Sequence, residues 1–209
     1  IQLPHLPSLY GAMLAGVAVV IMGAGIPIQI PPVLDLLSRH QPVTYPVYVT
    51  GQTKGELCDT RFDPLAFREE SDDLPPLMRP DFLPIVSTET LATMLVRRVQ
   101  GPIDGFVIEG STAGGHNAPP RGRLVLNDAN EPVYGPRDIV NLDAIRKLGL
   151  PFWLAGSYGS PEALRAAQAE GAAGVQVGTA FALCVESGIV PSVRRELVKK
   201  ILTGDARVL

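Results

Sequence analysis

GLPFWLAGSYGSPEALRAAQAEGAAGVQVGT, residues 149–179, decides the fold of this 209-residue chain. The apolar run at residues 151–154 predicts a strand that ends in small residues. Ser160, followed by a proline and an acidic residue, is the cap sequence of a helix that runs to about Glu170. Residues 173–177 then predict a second strand. Strand, helix and strand within about thirty residues is typical of a parallel βα unit.

The same alternation extends towards the N-terminus. Residues 82–86 predict a strand, residues 88–98 a helix, and residues 103–108 a further strand. Asn141 is a cap for another helix, which Gly149 terminates. Repeated βα units indicate the α/β class with a parallel sheet, and ligands of such folds bind at the carboxyl ends of the strands.

Residues 41–80 interrupt this alternation. Within them, residues 44–50 and 57–62 are strand candidates that can pair across a Gly-containing turn, followed by an acidic, Pro-rich tether. The segment is too short for a core of its own. We therefore predict a β-hairpin insertion within a single domain of residues 1–209.

Composition restricts the function. The chain is 46% hydrophobic and carries a net charge of −3, with basic residues scattered along it, so no nucleic-acid partner is expected. Cys58 and Cys184 lack neighbours at metal-ligand spacing. The sequence predicts no metal site and no disulfide, and a cytoplasmic protein with a small-molecule substrate.

Residues 11–30 are almost uncharged and long enough to raise the question of a membrane span. Residues 17–22 within them form a β-branched run that Gly23 and Gly25 end, and three prolines follow. This pattern favours a buried strand and a turn, and we expect no membrane interaction.

Two successive strand ends suit a phosphate group. Small residues follow each strand and precede a helix, so backbone N–H groups and the helix dipole can face an anion there. The first loop comprises Ala155, Gly156, Ser157, Tyr158 and Gly159, and the second comprises Gln176, Val177, Gly178, Thr179 and Ala180. Either loop alone is explained by tight turns, whereas the adjacent pair favours a phosphate cradle.

A third loop, residues 109–116, ends in Gly114, Gly115 and His116. The two glycines allow a flat ring to lie against the backbone, and the imidazole suits proton transfer near neutral pH. Glu109 either hydrogen-bonds a cofactor or ties down the loop. His5 and His40 are interpreted as surface or structural residues. Arg121 is a weak candidate for contacting an anionic substrate.

These loops resemble one family. The stretch EGSTAGGH at residues 109–116, then PFWLAG at 151–156 and GAAGVQVGT at 171–179, is similar to the nitronate monooxygenases and flavin-dependent enoyl-acyl-carrier-protein reductases. The resemblance spans about residues 11–187. It implies a (β/α)₈ barrel that binds FMN non-covalently and places His116 near the flavin ring, as a base or orienting group in the monooxygenases.

The chain departs from the family pattern in several places. Ser157 stands where a second glycine is usual, and Tyr158 replaces a smaller aliphatic residue. Residues 17–25 are similar to the family's fourth strand, and the first three strands have no counterpart, so the resemblance implies only the C-terminal half to two-thirds of a barrel. Exposed strand edges are then expected, and with them a possible homo-oligomer.

Other readings stay open. Within the family, an enoyl-thioester reductase is the alternative to a monooxygenase that oxidises a nitronate or similar carbanion with dioxygen. Gly23 and Gly25 suggest a dinucleotide-binding loop, but the third glycine is missing. A phosphosugar enzyme needs no flavin, and a truncated barrel can serve as a non-catalytic binding module. Bound yellow colour separates these classes.

Overall fold

The computed structural model describes residues 4–23, 25–53, 55–56, 58–67, 74–113 and 118–206. The chain divides into two compact units. The first contains Ile1–Pro84 and Met94–Gly105, and the second contains Ile85–Thr93 and Phe106–Leu209. Strand β4 (Asp81–Val86) and helix α3 (Glu89–Arg98) contribute residues to both.

The first unit pairs two parallel strands with flanking helices. Its further elements are α1 (His5–Leu14), β1 (Val19–Met22), α2 (Ile30–Leu37), β2 (Val43–Pro46) and β3 (Asp59–Phe62), with a 3-10 turn at Pro64–Phe67. Strand β1 lies parallel to β4, with Val20 opposite Phe82. The apolar faces of α1 and α2 supply the core, where Leu6, Leu34 and Phe82 are fully buried.

Arg79 ties the end of the insertion to the strand that follows it. Its Nε donates to Asp35 at 2.7 Å, and its Nη1 donates to Asp104 at 3.1 Å. The same carboxylate of Asp104 accepts from the backbone N–H of Phe82 at 2.8 Å. Because the guanidinium and both carboxylates are at most one-third exposed, this network defines where β4 begins.

The predicted hairpin is confirmed. Strands β2 and β3 pair antiparallel, with Val43 opposite Phe62 and Pro46 opposite Asp59. The pairing extends one bond beyond the strands, since Val47 N donates to the Cys58 carbonyl at 2.7 Å.

The second unit carries the predicted βα alternation. Its strands are the end of β4, then β5 (Phe106–Glu109), β6 (Phe152–Ala155) and β7 (Gly174–Gln176), each parallel to the next. Its further helices are α4 (Leu142–Arg146), α5 (Pro161–Ala169), α6 (Thr179–Ala182) and α7 (Pro191–Thr203). A 3-10 turn lies at Pro136–Asp138.

Two predicted caps are confirmed. The side chain of Asn141 accepts from Ala144 N at the start of α4, and Ser160 accepts from Ala163 N at 3.1 Å at the start of α5. Each bond satisfies one of the N–H groups that a helix leaves unpaired in its first turn.

Two strand predictions differ from the structure. Of residues 103–108, only the part from Phe106 onward is strand; Ile103 packs instead against the core of the first unit. Strand β1 is not buried along its length, because Val20 is 9% exposed whereas Val19 and Ile21 are 43% and 48% exposed. Side chains alternate between the two faces of a strand, and only one face of β1 packs.

Residues 11–30 fold as the end of α1, strand β1 and the start of α2. Among the helices that the structure describes, none has both the length and the apolar character to cross a membrane.

Candidate functional site

The predicted loops meet around one cavity of about 670 Å³ in the second unit. Its wall begins at the last residues of three neighbouring strands, since Glu109 lies opposite Ala155 and Ala155 lies opposite Gln176 in the sheet. The predicted site residues that line it are Glu109, Ala155, Gly156, Ser157, Gly159, Gln176, Val177, Gly178 and Thr179. Parallel strands carry their carboxyl ends at one edge, which explains this convergence. The size suits a small-molecule cofactor.

The loop after β6 presents uncommitted hydrogen-bond donors. Among the described residues, no acceptor is recorded for the backbone N–H groups of Gly156, Ser157, Tyr158 and Gly159. Successive free N–H groups at a cavity wall are suited to bind an anion such as a phosphate. Helix α6, after the second loop, is a single turn of four residues, so the dipole predicted there contributes little.

Gly156 allows this loop to pack directly on the chain beyond β5. A Cβ at this position would lie 2.8 Å from Ala113 N and 2.9 Å from Thr112 Oγ1, and its φ is +104°. Both the space and the backbone conformation therefore require glycine.

Ser157 adopts a conformation that glycine would adopt more easily. Its φ is +59°, and its hydroxyl donates to the Thr112 carbonyl at 3.4 Å, a long hydrogen bond. A side chain in the left-handed region costs ~1–2 kcal/mol. The departure from the family's second glycine is thus a strained serine at the cavity wall.

We expect Ser157→Gly to raise the free energy of unfolding by about 0.5–1 kcal/mol. This is the balance between the strain relieved and the roughly 0.5–1 kcal/mol of backbone entropy that a glycine adds to the unfolded chain. Urea unfolding measures the change. Ser157→Ala removes the hydroxyl but keeps the strain, so an equal gain in that variant would contradict this explanation.

Glu109 places a half-buried carboxyl group at the cavity wall. Among the residues that the structure describes, none forms a hydrogen bond or an ion pair with this half-buried side chain. Burial raises the pKa of Glu109 above the ordinary glutamate value. Among the described residues, no group of its own loop holds this carboxyl, which is consistent with the prediction that it contacts a ligand.

Glu109→Gln is expected to stabilise the protein increasingly as pH rises. A raised folded-state pKa means that the contribution of Glu109 to stability is present below the ordinary glutamate pKa and is lost as pH rises through the folded value. The difference in unfolding free energy between variant and wild type should thus be larger at pH 8 than at pH 5. Glu186→Gln, at an exposed carboxyl, is the control, and an equal pH trend there would contradict the assignment.

Arg121 is not a free anion receptor. Its Nη2 donates to the Ser87 carbonyl at 3.3 Å and lies 3.8 Å from the Glu89 carboxylate. It lines a small pocket of about 60 Å³, which shares Glu109 with the larger cavity. The arginine is engaged with the chain between β4 and α3, which weakens its candidacy as a substrate contact.

Helix α7 supplies a wall that sequence reasoning missed. Leu197 and Ile201 from this helix line the cavity, together with Ile189 just before it. The spacing of Val193, Leu197 and Ile201 is the signal that was available, since residues four apart share a helix face. A cavity lined both by apolar side chains and by polar strand ends suits a ligand with a flat apolar ring and a phosphate.

The predicted catalytic residue His116, with Gly114 and Gly115, lies outside the described residues. Ala113, the residue before them, lines the cavity. Of the other histidines, His40 is buried; Tyr10 Oη lies 2.9 Å from its Nδ1, and its Nε2 donates to the Pro75 carbonyl at 3.1 Å. The ring of His5 packs edge-on against Tyr45 at 4.2 Å. Both therefore have structural contacts.

Comparison with protein families identifies this site's relatives. Residues 68–204 match the family model described as nitronate monooxygenase. A probable nitronate monooxygenase from Staphylococcus haemolyticus is 32% identical over 105 residues, which are 50% of this chain and 28% of that protein. A (3aS,4S,5R,7aS)-5-hydroxy-7a-methyl-1-oxo-octahydro-1H-indene-4-carboxyl-CoA dehydrogenase from Mycobacterium tuberculosis is 32% identical over 101 residues, 48% of this chain and 25% of that protein.

Solved structures show the same fold. FabK from Thermotoga maritima superposes with a TM-score of 0.50 at 22% identity, covering 91% of this chain and 42% of that one. A point mutant of FabK gives a TM-score of 0.53 at 21% identity, covering 91% and 45%. The chain thus spans less than half the length of these proteins. The predicted partial (β/α)₈ barrel with a hairpin insertion is confirmed.

Proposed function

The chain belongs to the nitronate monooxygenase family, and on that premise we propose that it is an FMN-dependent oxidoreductase that oxidises a nitronate or a similar small carbanionic substrate with dioxygen. The observation that carries the proposal is the cavity at the ends of β5, β6 and β7, whose lining combines a loop with backbone N–H groups that no described residue accepts from, a half-buried carboxyl, and two apolar side chains of α7. Members of this family are oxidoreductases.

The residues present fit FMN. We assign the phosphate to the loops at residues 156–159 and 176–179, whose N–H groups and the hydroxyls of Ser157 and Thr179 supply donors. Glu109 is placed to accept from a ribityl hydroxyl or a ring N–H. We assign the apolar side chains of α7 that line the cavity as the cover of the ring. In this assignment the phosphate meets hydrogen-bond donors, a polar hydrogen of the ligand meets a carboxyl group, and the ring meets apolar side chains.

When bound, FMN supplies the two-electron redox chemistry that the side chains lack. The chain's own part is to position the ligand and to move a proton. His116 is assigned either as the base that takes the α-proton of a neutral nitro compound to give the nitronate, or as the group that orients a nitronate that is bound as such. The strand-end loops hold the ligand in place, and Leu197 and Ile201 exclude water from its apolar side.

Titration of the purified protein with FMN tests the proposal first. We expect quenching of flavin fluorescence with one site per chain, followed by oxygen consumption when a nitronate is added. Free FMN with the same nitronate is the control. A protein that neither carries nor takes up FMN would contradict the flavin assignment and favour a non-catalytic binding module.

A thioester is the second candidate substrate. The observation that favours it is the similarity to a dehydrogenase whose name specifies a carboxyl-CoA compound, and an enoyl-thioester reductase belongs to the same class of chemistry. Anaerobic mixing separates the two. Reduction of bound FMN by a nitronate alone supports the first proposal, whereas oxidation of pre-reduced FMN by an enoyl thioester, with no response to nitronates, supports the second.

A further inference from the structure

A second cavity of about 470 Å³ adjoins the loop after β6. Its lining comes from α4, α5 and the segments beside them, including Asn141, Asp143, Arg146, Ala167 and Glu170. Tyr158 is the single described residue that lines both this groove and the proposed cofactor cavity. The half-buried ring therefore stands at the boundary between the two spaces.

The groove is poorly suited to a phosphate. Arg146 donates to the Asp143 carboxylate and to the Glu170 carbonyl, and its guanidinium lies 3.6 Å from the Glu170 carboxylate. The one cation is thus held between two carboxylates, and the charged groups of the groove sum to about one negative charge. A ligand that carried a second phosphate past Tyr158 would meet this negative environment.

We propose that Tyr158 sets the length of the nucleotide that the cavity accepts. Tyr158 lies within the loop assigned to the phosphate, between Ser157 and Gly159. Its side chain stands between the cavity and the groove, so a flavin mononucleotide ends before it, whereas the second phosphate and the adenosine of a flavin dinucleotide would have to pass it into the groove. This specificity role rests on the proposed binding of FMN.

The ring, rather than the hydroxyl, carries this role. Within the described ranges, no hydrogen bond is recorded for the Tyr158 hydroxyl. Tyr158→Phe should therefore behave like wild type, whereas Tyr158→Ala joins the cavity to the groove and removes the barrier. Comparing the two variants separates the effect of the side chain's bulk from the effect of its hydroxyl.

Dissociation constants for FMN and FAD, measured by fluorescence quenching on wild type, Tyr158→Phe and Tyr158→Ala, test the proposal. We expect wild type and Tyr158→Phe to prefer FMN by at least about 100-fold. We expect this preference to fall at least about tenfold in Tyr158→Ala, a change of about 1.4 kcal/mol, through tighter binding of FAD.

The outcomes are distinct. Wild type that binds neither flavin would overturn the proposed function and this inference together. Wild type that binds FMN and FAD equally well, or Tyr158→Ala that binds FMN and still excludes FAD, would overturn the role of Tyr158 alone. If Tyr158→Ala loses its folded state by near-ultraviolet circular dichroism, Tyr158→Leu replaces it, and unchanged FAD exclusion in that variant overturns the proposal.

Discussion

Gly156→Ala is expected to weaken FMN binding by at least about 100-fold, or roughly 2.7 kcal/mol. The new Cβ would lie 2.8 Å from the backbone nitrogen of Ala113, a backbone atom that cannot move aside as a flexible side chain would. The φ of +104° adds strain for any side chain at this position. The loop has to shift, and its N–H groups lose their alignment on the phosphate.

Isothermal titration with FMN measures this effect, and urea unfolding measures the accompanying loss of stability. Gly188→Ala is the matched control, because a Cβ there has nothing within 4 Å and its φ is not positive. Near-wild-type FMN affinity in Gly156→Ala would remove the phosphate site from this loop. Equal losses in the two variants would point to a general effect of adding a methyl group.

His116→Ala is expected to reduce turnover by about 10²–10⁴-fold while FMN remains bound. The magnitude is that of removing a general acid or base from a proton-transfer step. Rapid-reaction measurement of flavin reduction by a neutral nitro compound, whose α-proton has to be removed first, isolates this step from binding. Retention of FMN, read from the visible spectrum, separates a loss of proton transfer from a loss of the cofactor.

His40→Ala is the contrasting variant. Its imidazole contacts Tyr10 Oη and donates to the Pro75 carbonyl in the buried part of the first unit, so we expect a loss of stability of about 1–3 kcal/mol. Turnover per folded molecule should not change. A wild-type rate in His116→Ala would exclude His116 from the mechanism.

Local features of the fold were predictable because their causes are local. Ser160 and Asn141 cap helices through bonds that span three residues, and the apolar runs of β4, β6 and β7 are short and bounded by small residues. The first part of residues 103–108 was harder, because packing against other elements determines how far a strand continues.

The candidate site was predictable only in part. Glycines after successive strands indicated the cradle, since parallel strands end at one edge of a sheet. The wall from Leu197 and Ile201 depends on where α7 packs, and sequence position gives no direct measure of that. Arg121 is the opposite case, a candidate ligand contact that the structure shows to be paired within the protein. Its partner Glu89 lies 32 positions away, so the pairing could not be read from the neighbouring sequence.

By itself, the sequence determined the βα alternation, the hairpin, the family and the identity of the strand-end loops, because each is written in short-range patterns of apolar, capping and glycine residues. Only the tertiary structure decided that the Glu109 carboxyl pairs with none of the described residues, that Ser157 is held at a positive φ, and that Tyr158 borders two cavities. These properties depend on which distant groups meet and on how much water they exclude, and neither quantity is set by neighbours along the chain.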